Sequence, residues 1–420
     1  MSTADLADTG GPDTGGPDTG GAAGEAFPYP AGPGGTVPPQ YARLLVEDPV
    51  SRVRLADGEH IWLVTRDADV RTVLTDPAFS RYQAAVLPGS GFGRGQGAGI
   101  VDLDPPRHTA LRAPIAAGFA PARVARWSPR ITAIADELLA GLAGATAPVD
   151  LVADYTAPFA GRVICELLGF DGASWPRITG DIEALLLAGG AEDERTEACR
   201  ARLGEAFADL LAARRERPAD DVATVLLGLD EPASGGQHLT DEQRTTLLHG
   251  LVISGFIGVR DLLARHLFAV LAEPKHRERL AAEPELVPRA VAELLRYYPS
   301  SNDGLLRLAT RDVELSGVRV PAGAAVLPLV SAACRDPRTV DRPDVLDLDR
   351  DPVPNPAFGA GPHHCPALDL AVVQLTTGLG RLLAHHPDVT LAVPAAEVRH
   401  TADLLPLGVA ALPVRLGAGA

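Results

Sequence analysis

The chain has 420 residues, of which 46% are hydrophobic, and a formal net charge of −16 at pH 7. This length permits a large core, while the acidic balance argues against nucleic acid or an anionic membrane surface as a partner. Four widely spaced cysteines without a CxxC pair argue against a disulfide framework or structural zinc, and no signal peptide or membrane span is recognisable, so we expect a soluble cytoplasmic protein.

The first residues are low in complexity. The sequence Asp-Thr-Gly-Gly-Pro recurs almost unchanged from Asp8, Asp13 and Asp18, with no side chain large enough to build a core. We predict that residues 1–26 form a disordered tail and that residues 27–420 form a single domain, because no linker interrupts the later pattern.

The first ordered elements are predicted strands. Two β-rich runs, 52–55 and 61–65, flank Asp57-Gly58 and predict a hairpin. Helical patterns then dominate. The predicted fold class is therefore mainly α with small β-sheets.

A basic stretch follows at residues 107–130. It contains five arginines and no acidic residue: Arg107, Arg112, Arg123, Arg126 and Arg130. Either it is an ordinary solvated helix face, or it is a surface that docks an acidic partner.

A long helix is predicted from Thr240 to about Leu271. Thr240 and Gln243 match a capping box, and Pro274 lies just beyond the end. Some 30 residues make a rod of roughly 45 Å, which crosses a whole domain. Residues 247–259 are nearly all apolar, so we expect this part to be buried on all sides.

Beyond the long helix, Glu293 and Arg296 are spaced to pair on one helical turn. Short strands are predicted next at 305–309, 313–315 and 318–320, because Ser316-Gly317 and Pro321 break the apolar runs.

The segment from Phe358 to Cys365 is rich in glycine and turn-forming residues, and an apolar helical run follows it. Pro366 suits the first helical position, which would put Cys365 near the N-cap, where backbone N–H groups favour a thiolate. The consecutive residues His363, His364 and Cys365 are poorly placed to close a zinc tetrahedron. A single thiolate on haem fits the pattern better.

With these residues in this order, the chain resembles the cytochromes P-450, specifically the soluble bacterial type. Phe358, Gly361, His363 and Cys365 match the pattern F-x-x-G-x-H-x-C-x-G, with Ala367 at the last position, and 293–296 match E-x-x-R. Further matches at 51–66, 104–109 and 335–337 extend the resemblance over about residues 27 to 415. It implies haem b ligated by Cys365 and a long helix that crosses the haem.

The resemblance also implies roles for charged residues. His108, Arg112, Arg307 and His363 are expected to bind the haem propionates. Glu293 and Arg296 are expected to be a structural pair, often joined in the family by the arginine of a P-x-R-F element. The corresponding residues 343–346 lack that arginine, which leaves the third partner unidentified.

The main departure from the family lies in the long helix. Where members commonly show A-G-x-[D/E]-T-[T/S], residues 254–259 read Ser-Gly-Phe-Ile-Gly-Val, so Ile257 and Gly258 replace the acid and the alcohol that relay protons. Three interpretations remain: water, Ser254 or a polar substrate group supplies the proton; the enzyme uses peroxide; or catalysis is lost and the fold is a binding or recruitment module. Arg260 and Asp261 are expected to face away or to pack at the helix exit, and to be structural.

Residues 302–310 and the unusual helix centre resemble members that oxidise cyclic dipeptides, some by coupling aromatic rings. We therefore expect an oxidoreductase of bacterial specialised metabolism that uses dioxygen for hydroxylation or oxidative coupling. Electrons are expected from a ferredoxin and its reductase, with the ferredoxin docked on residues 107–130. The expected pocket residues are Ser254, Phe256, Ile257, Gly258, Val86, Leu404 and Leu405.

Overall fold

In the computed structural model, fourteen helices account for most of the residues that the structure describes, which are 27–87, 99–188, 193–228, 239–300, 304–401 and 408–417. The predicted tail, Leu404 and Leu405 lie outside these ranges. The helices are α1 (Gln40–Glu47), α2 (Asp67–Thr75), α3 (Arg81–Val86), α4 (Arg107–Gly118), α5 (Pro121–Leu142), α6 (Ala157–Leu168), α7 (Trp175–Leu187), α8 (Glu194–Glu216), α9 (Val222–Leu227), α10 (Asp241–Leu271), α11 (Pro274–Ala282), α12 (Val287–Tyr297), α13 (Val330–Ala333) and α14 (Leu368–His385).

The strands are short and fall into small sheets, which confirms the predicted fold class. They are β1 (Val50–Arg54), β2 (His60–Val64), β3 (Phe79–Ser80), β4 (Val149–Asp150), β5 (Arg307–Ala309), β6 (Val313–Leu315), β7 (Val318–Val320), β8 (Ala325–Pro328), β9 (Thr390–Leu391), β10 (His400–Thr401), β11 (Gly408–Val409) and β12 (Pro413–Arg415). The largest sheet has the order β1-β2-β8-β5-β3, and the predicted hairpin is its β1–β2 pair.

The long helix α10 begins as the capping box predicts. The Thr240 hydroxyl accepts a hydrogen bond from the Gln243 N–H at 3.2 Å, and the Gln243 side chain accepts one from the Thr240 N–H at 2.9 Å. These bonds satisfy backbone donors that a helix start otherwise leaves free. α10 is also long and apolar enough to cross a membrane, but 56% of its most apolar window is buried inside the protein, as expected for a core helix.

α10 is the centre of the main hydrophobic core and packs against α6, α14 and β11. Gly255 permits the α6 crossing, because a Cβ there would lie 2.6 Å from the Ile164 side chain. The expectation that residues 247–259 are buried on all sides was wrong: Ser254 is exposed, and the continuously buried part is 261–271 instead. One face of α10 is therefore not covered by the residues that the structure describes.

Candidate haem site

Cys365 lies at the end of a tightly turned loop that begins at Phe358. Its backbone N–H donates to the Phe358 carbonyl at 2.9 Å, and Gly361–His363 form a 3₁₀ turn between them. Gly361 has a φ of 67°, and a Cβ there would lie 2.6 Å from the carbonyl oxygen of Leu74 in α2. Glycine is required, because the left-handed backbone and the close approach both disfavour a side chain.

The Cys365 side chain is half-buried where this loop meets α14. The helix begins at Leu368 with Ala367 as its N-cap, so the prediction that Pro366 is the first helical residue was wrong by two positions. The backbone N–H of Ala367 still donates to the Cys365 sulfur, and Arg112 adds a nearby positive charge, but burial outweighs both and raises the pKa of the Cys365 thiol. The helix start alone therefore does not hold a thiolate, whereas coordination to a metal ion removes the thiol proton outright.

Four basic side chains predicted to act together lie beside this loop: His108 and Arg112 from α4, Arg307 from β5, and His363. The ring centroids of His108 and His363 are 4.2 Å apart. Arg307 is 3% exposed, and burial together with the neighbouring Arg81 lowers its pKa to about 10. Burial, Arg307 and His108 lower the pKa of His363 to about 3. The fold thus brings together basic side chains whose protonated forms are destabilised by burial and by one another.

The nearby acidic groups already have partners. Arg81 forms a buried ion pair with Asp102 at 2.7 Å. Asp104 accepts hydrogen bonds from the Ser80 hydroxyl and, at 2.9 Å, from the Arg81 backbone N–H at the start of α3. Nε2 of His363 is buried with no hydrogen-bond partner among the described residues. The cluster therefore combines excess positive charge with an unsatisfied nitrogen, which fits the carboxylates of a bound group.

The donor set fits haem better than a bare metal ion. Among the residues that the structure describes, no group of three or more His, Cys, Asp or Glu side chains is placed to hold an ion. Zinc and non-haem iron need several protein ligands, whereas haem needs one axial thiolate from the protein and cations for its propionates. Cys365 and the four basic side chains supply this combination.

The Glu293–Arg296 pair anchors α12. Nε and one terminal nitrogen of Arg296 each lie 2.8 Å from a Glu293 oxygen, and Arg296 also donates to the Pro343 carbonyl at 2.8 Å. The third partner that the sequence left unidentified is Arg350, whose Nε is 3.1 Å from Oε1 of Glu293. Arg350 lies four residues beyond 343–346, the positions that correspond to the family motif, so the motif alone does not identify it.

The uncovered face of α10 includes Ser254 and Gly258. Ser254 is exposed, and a Cβ at Gly258 would meet nothing within 4 Å. The expected pocket residue Phe256 is instead buried in the core at 1% exposure, because it lies about 200° around the helix from Ser254. Ile257 is also buried, at 7% exposure, while Val86 at the end of α3 is 51% exposed.

The basic stretch 107–130 does not form a uniformly positive surface. Asp220 pairs with Arg123 at 2.5 Å and with Arg126 at 3.4 Å. Arg130 pairs with Glu166 at 2.7 Å and with Glu137 at 2.8 Å. Asp220 and Glu166 come from outside α5, and Glu137 lies in α5 seven residues after Arg130. All three acids therefore fall outside the stretch 107–130, whose composition could not show these pairs.

Comparison with known proteins agrees with this site. A family model described as Cytochrome P-450 matches residues 263–387. The chain is 38% identical over 369 residues to nocardicin C N-oxygenase of Nocardia uniformis subsp. tsuyamanensis. This alignment covers 86% of the present chain and 90% of that protein. The chain is 34% identical over 396 residues to mycinamicin IV hydroxylase/epoxidase of Micromonospora griseorubida, which covers 93% and 98% respectively.

A solved structure of a cytochrome P-450 with biaryl coupling reactivity superposes with a TM-score of 0.78 at 34% identity, and the match covers 90% of this chain and 96% of that one. The three proteins carry out different oxidations on one fold.

Proposed function

The chain belongs to the cytochrome P-450 family of haem-thiolate monooxygenases, and from that premise we propose that Cys365 is the haem ligand through which it oxidises a small molecule of bacterial specialised metabolism. The enzyme class and its cofactor, haem b, follow from the family. Haem supplies the redox chemistry that activates dioxygen, and its thiolate ligand favours cleavage of the O–O bond. The observation that carries the proposal is the half-buried Cys365 thiol beside four basic side chains.

The protein's own residues hold and orient the cofactor. His108, Arg112, Arg307 and His363 would hold the propionates, which would compensate the buried charge of Arg307 and give Nε2 of His363 a hydrogen-bond partner. The Ala367 N–H donates to the Cys365 sulfur and stabilises its negative charge.

The alternative, a catalytically impaired binding or recruitment module, rests on the missing acid and alcohol at Ile257 and Gly258. The complete ligand and cation set argues against it, because a module that only binds would not need a thiolate or a buried cluster of cations. Ser254 is the remaining hydroxyl on the uncovered face of α10, and the space beside Gly258 can hold water. Ser254 and water there would relay protons along the uncovered face of α10, which would allow dioxygen rather than peroxide to serve as the oxidant.

The substrate proposal is a cyclic dipeptide. It is supported by the likeness of residues 304–310 to members that oxidise such compounds; Asn302 and Asp303 of that motif lie outside the described residues. A neutral cyclic dipeptide also suits a helix face with no charged group at Ser254 or Gly258. Hydroxylation would insert one oxygen atom and release one water. Oxidative coupling would remove two hydrogen atoms from the substrate and release two waters.

Bacterial members of the family generally receive electrons from a ferredoxin and its reductase, and we extend this arrangement and a cytoplasmic location to the present chain. The proposed docking surface at 107–130 loses support, because three of its five arginines have acidic partners: Asp220 pairs with Arg123 and Arg126, and Glu166 and Glu137 pair with Arg130.

The test is turnover of cyclic dipeptides by the haem-loaded protein with a surrogate ferredoxin, its reductase, NADPH and dioxygen. We expect a spin-state shift on binding and a product that has gained one oxygen atom or lost two hydrogen atoms. A protein that binds haem and carbon monoxide normally but consumes no dioxygen with any of these compounds would support the binding module instead.

A further inference from the structure

Asp261 is a buried acid in the middle of α10. Its side chain is 6% exposed, and Arg260 approaches its two oxygens at 2.7 and 3.1 Å. Arg260 also bonds to Glu183 of α7, whose side chain is 41% exposed. A chain of charged groups therefore runs from solvent to a carboxyl inside the protein.

The helical repeat places Asp261 on the same side of α10 as Ser254, although Asp261 itself is buried. Seven residues at 3.6 per turn bring its Cα to within about 20° of Ser254. Gly258 lies between them, about 4.5 Å from Asp261 along the axis, and a Cβ there would meet nothing within 4 Å. Gly258 contributes no side chain between the carboxyl and the space that Ser254 faces.

Strand β11 closes the other side of the carboxyl. A Cβ at Gly408 would lie 2.8 Å from Cγ of Asp261, so the backbone packs directly against the acid. Burial raises the pKa of Asp261, and the neighbouring Arg260 and Arg265 lower it less. This carboxyl is therefore easier to protonate than a solvated carboxylate, which suits a group that takes up and releases protons.

We propose that Asp261 supplies protons to the uncovered face of α10 through water beside Gly258. It would thus take the role of the acidic residue that family members commonly carry at the position of Ile257. The inference rests on the proposed haem function. The carboxyl donates its proton to a water, which passes one of its own protons onward. The carboxylate regains a proton from solvent at the Glu183 edge through water, because the Arg260 guanidinium stays protonated. No electron moves in these steps.

The test compares Asp261→Asn with Asp181→Asn in haem-loaded protein. Asp181 is a matched control, since it is also buried and paired with an arginine, Arg202, but lies on α7. With a surrogate ferredoxin system, Asp261→Asn should lower dioxygen consumption about 100-fold or more and raise the fraction released as hydrogen peroxide. Asp181→Asn should match the wild type.

A second readout does not depend on turnover. Carbon-13 labelling of aspartate carboxyls should show one signal that is absent only in Asp261→Asn and that titrates above the ordinary carboxyl range. Equal turnover and peroxide release in the two variants, or titration of that signal in the ordinary range, would overturn the proposal. A wild-type protein without a thiolate-haem spectrum would instead contradict the proposed function itself.

Discussion

Arg350 reaches Glu293 across 57 positions of sequence, with its Nε 3.1 Å from Oε1 of the carboxylate. Glu293 is also the partner of Arg296, and both side chains are almost fully buried. Arg350 further donates to the Asp341 carbonyl at 2.6 Å and so joins α12 to the segment before the cysteine loop. The pair supplies the structural link that the family motif led us to expect at another position.

Replacing Arg350 by alanine should lower the free energy of unfolding by about 1.5–3 kcal/mol, because a buried carboxylate loses a charge-assisted hydrogen bond. Arg342→Ala is the control, since its side chain is 61% exposed and its pairs with Asp341 and Asp347 lie at the surface. It should cost at most about 1 kcal/mol. Denaturant unfolding measures both, and equal losses would show that Arg350 contributes no more than a surface ion pair.

Much of the fold could be read from local signals, since the capping box at Thr240 and the Asp57-Gly58 turn act over a few residues. The cysteine loop was found the same way, because Gly361 and Cys365 are close in sequence. The features that the sequence did not reveal depend on contacts between residues far apart in the chain. Burial of the Cys365 thiol and neutralisation of Arg123 by Asp220 depend on distant segments that no sequence window contains.

Arg307→Gln should weaken haem retention, because a propionate loses a charged partner in a buried site. The loss of one charge-assisted hydrogen bond of about 1.5–3 kcal/mol corresponds to a release of haem to apomyoglobin that is about 10-fold to 100-fold faster. Arg311→Gln, at a side chain that is 62% exposed, should release haem like the wild type. Identical release rates in the two variants would remove Arg307 from the propionate site.

Gly258→Thr should reduce the fraction of consumed dioxygen that appears as hydrogen peroxide, because a hydroxyl on the uncovered face can order water. The space is free, and threonine is a slightly better helix residue than glycine. Gly250→Thr is the matched control, since a Cβ there also meets nothing within 4 Å. If both variants give the wild-type peroxide fraction, position 258 has no part in proton delivery.

Gly255→Ala should behave differently from both, although it lies in the same helix. Its Cβ would approach the Ile164 side chain to 2.6 Å, so α6 and α10 must separate. Overpacking of this kind costs about 1–3 kcal/mol, which a fall in the denaturation midpoint would show. An unchanged midpoint would mean that the crossing adjusts freely.

Arg126→Glu should leave ferredoxin-dependent reduction of the haem nearly unchanged. Its charge is already offset by Asp220, so this surface attracts an acidic partner weakly. Stopped-flow reduction at low salt measures the effect, and Asp220→Asn, which uncovers the positive charge, is the companion variant. A large, salt-dependent loss of the reduction rate in Arg126→Glu would support ferredoxin docking at residues 107–130 after all.

The most direct test of the account is the difference spectrum of the reduced protein with carbon monoxide, recorded for the wild type, Cys365→Ser and Cys334→Ser. Burial raises the pKa of Cys334 to about 12, which makes it a suitable control for an inert buried thiol. We predict the red-shifted band of thiolate-ligated haem in the wild type and in Cys334→Ser, and its loss in Cys365→Ser. A band that survives in Cys365→Ser would contradict the assignment of Cys365 as the haem ligand.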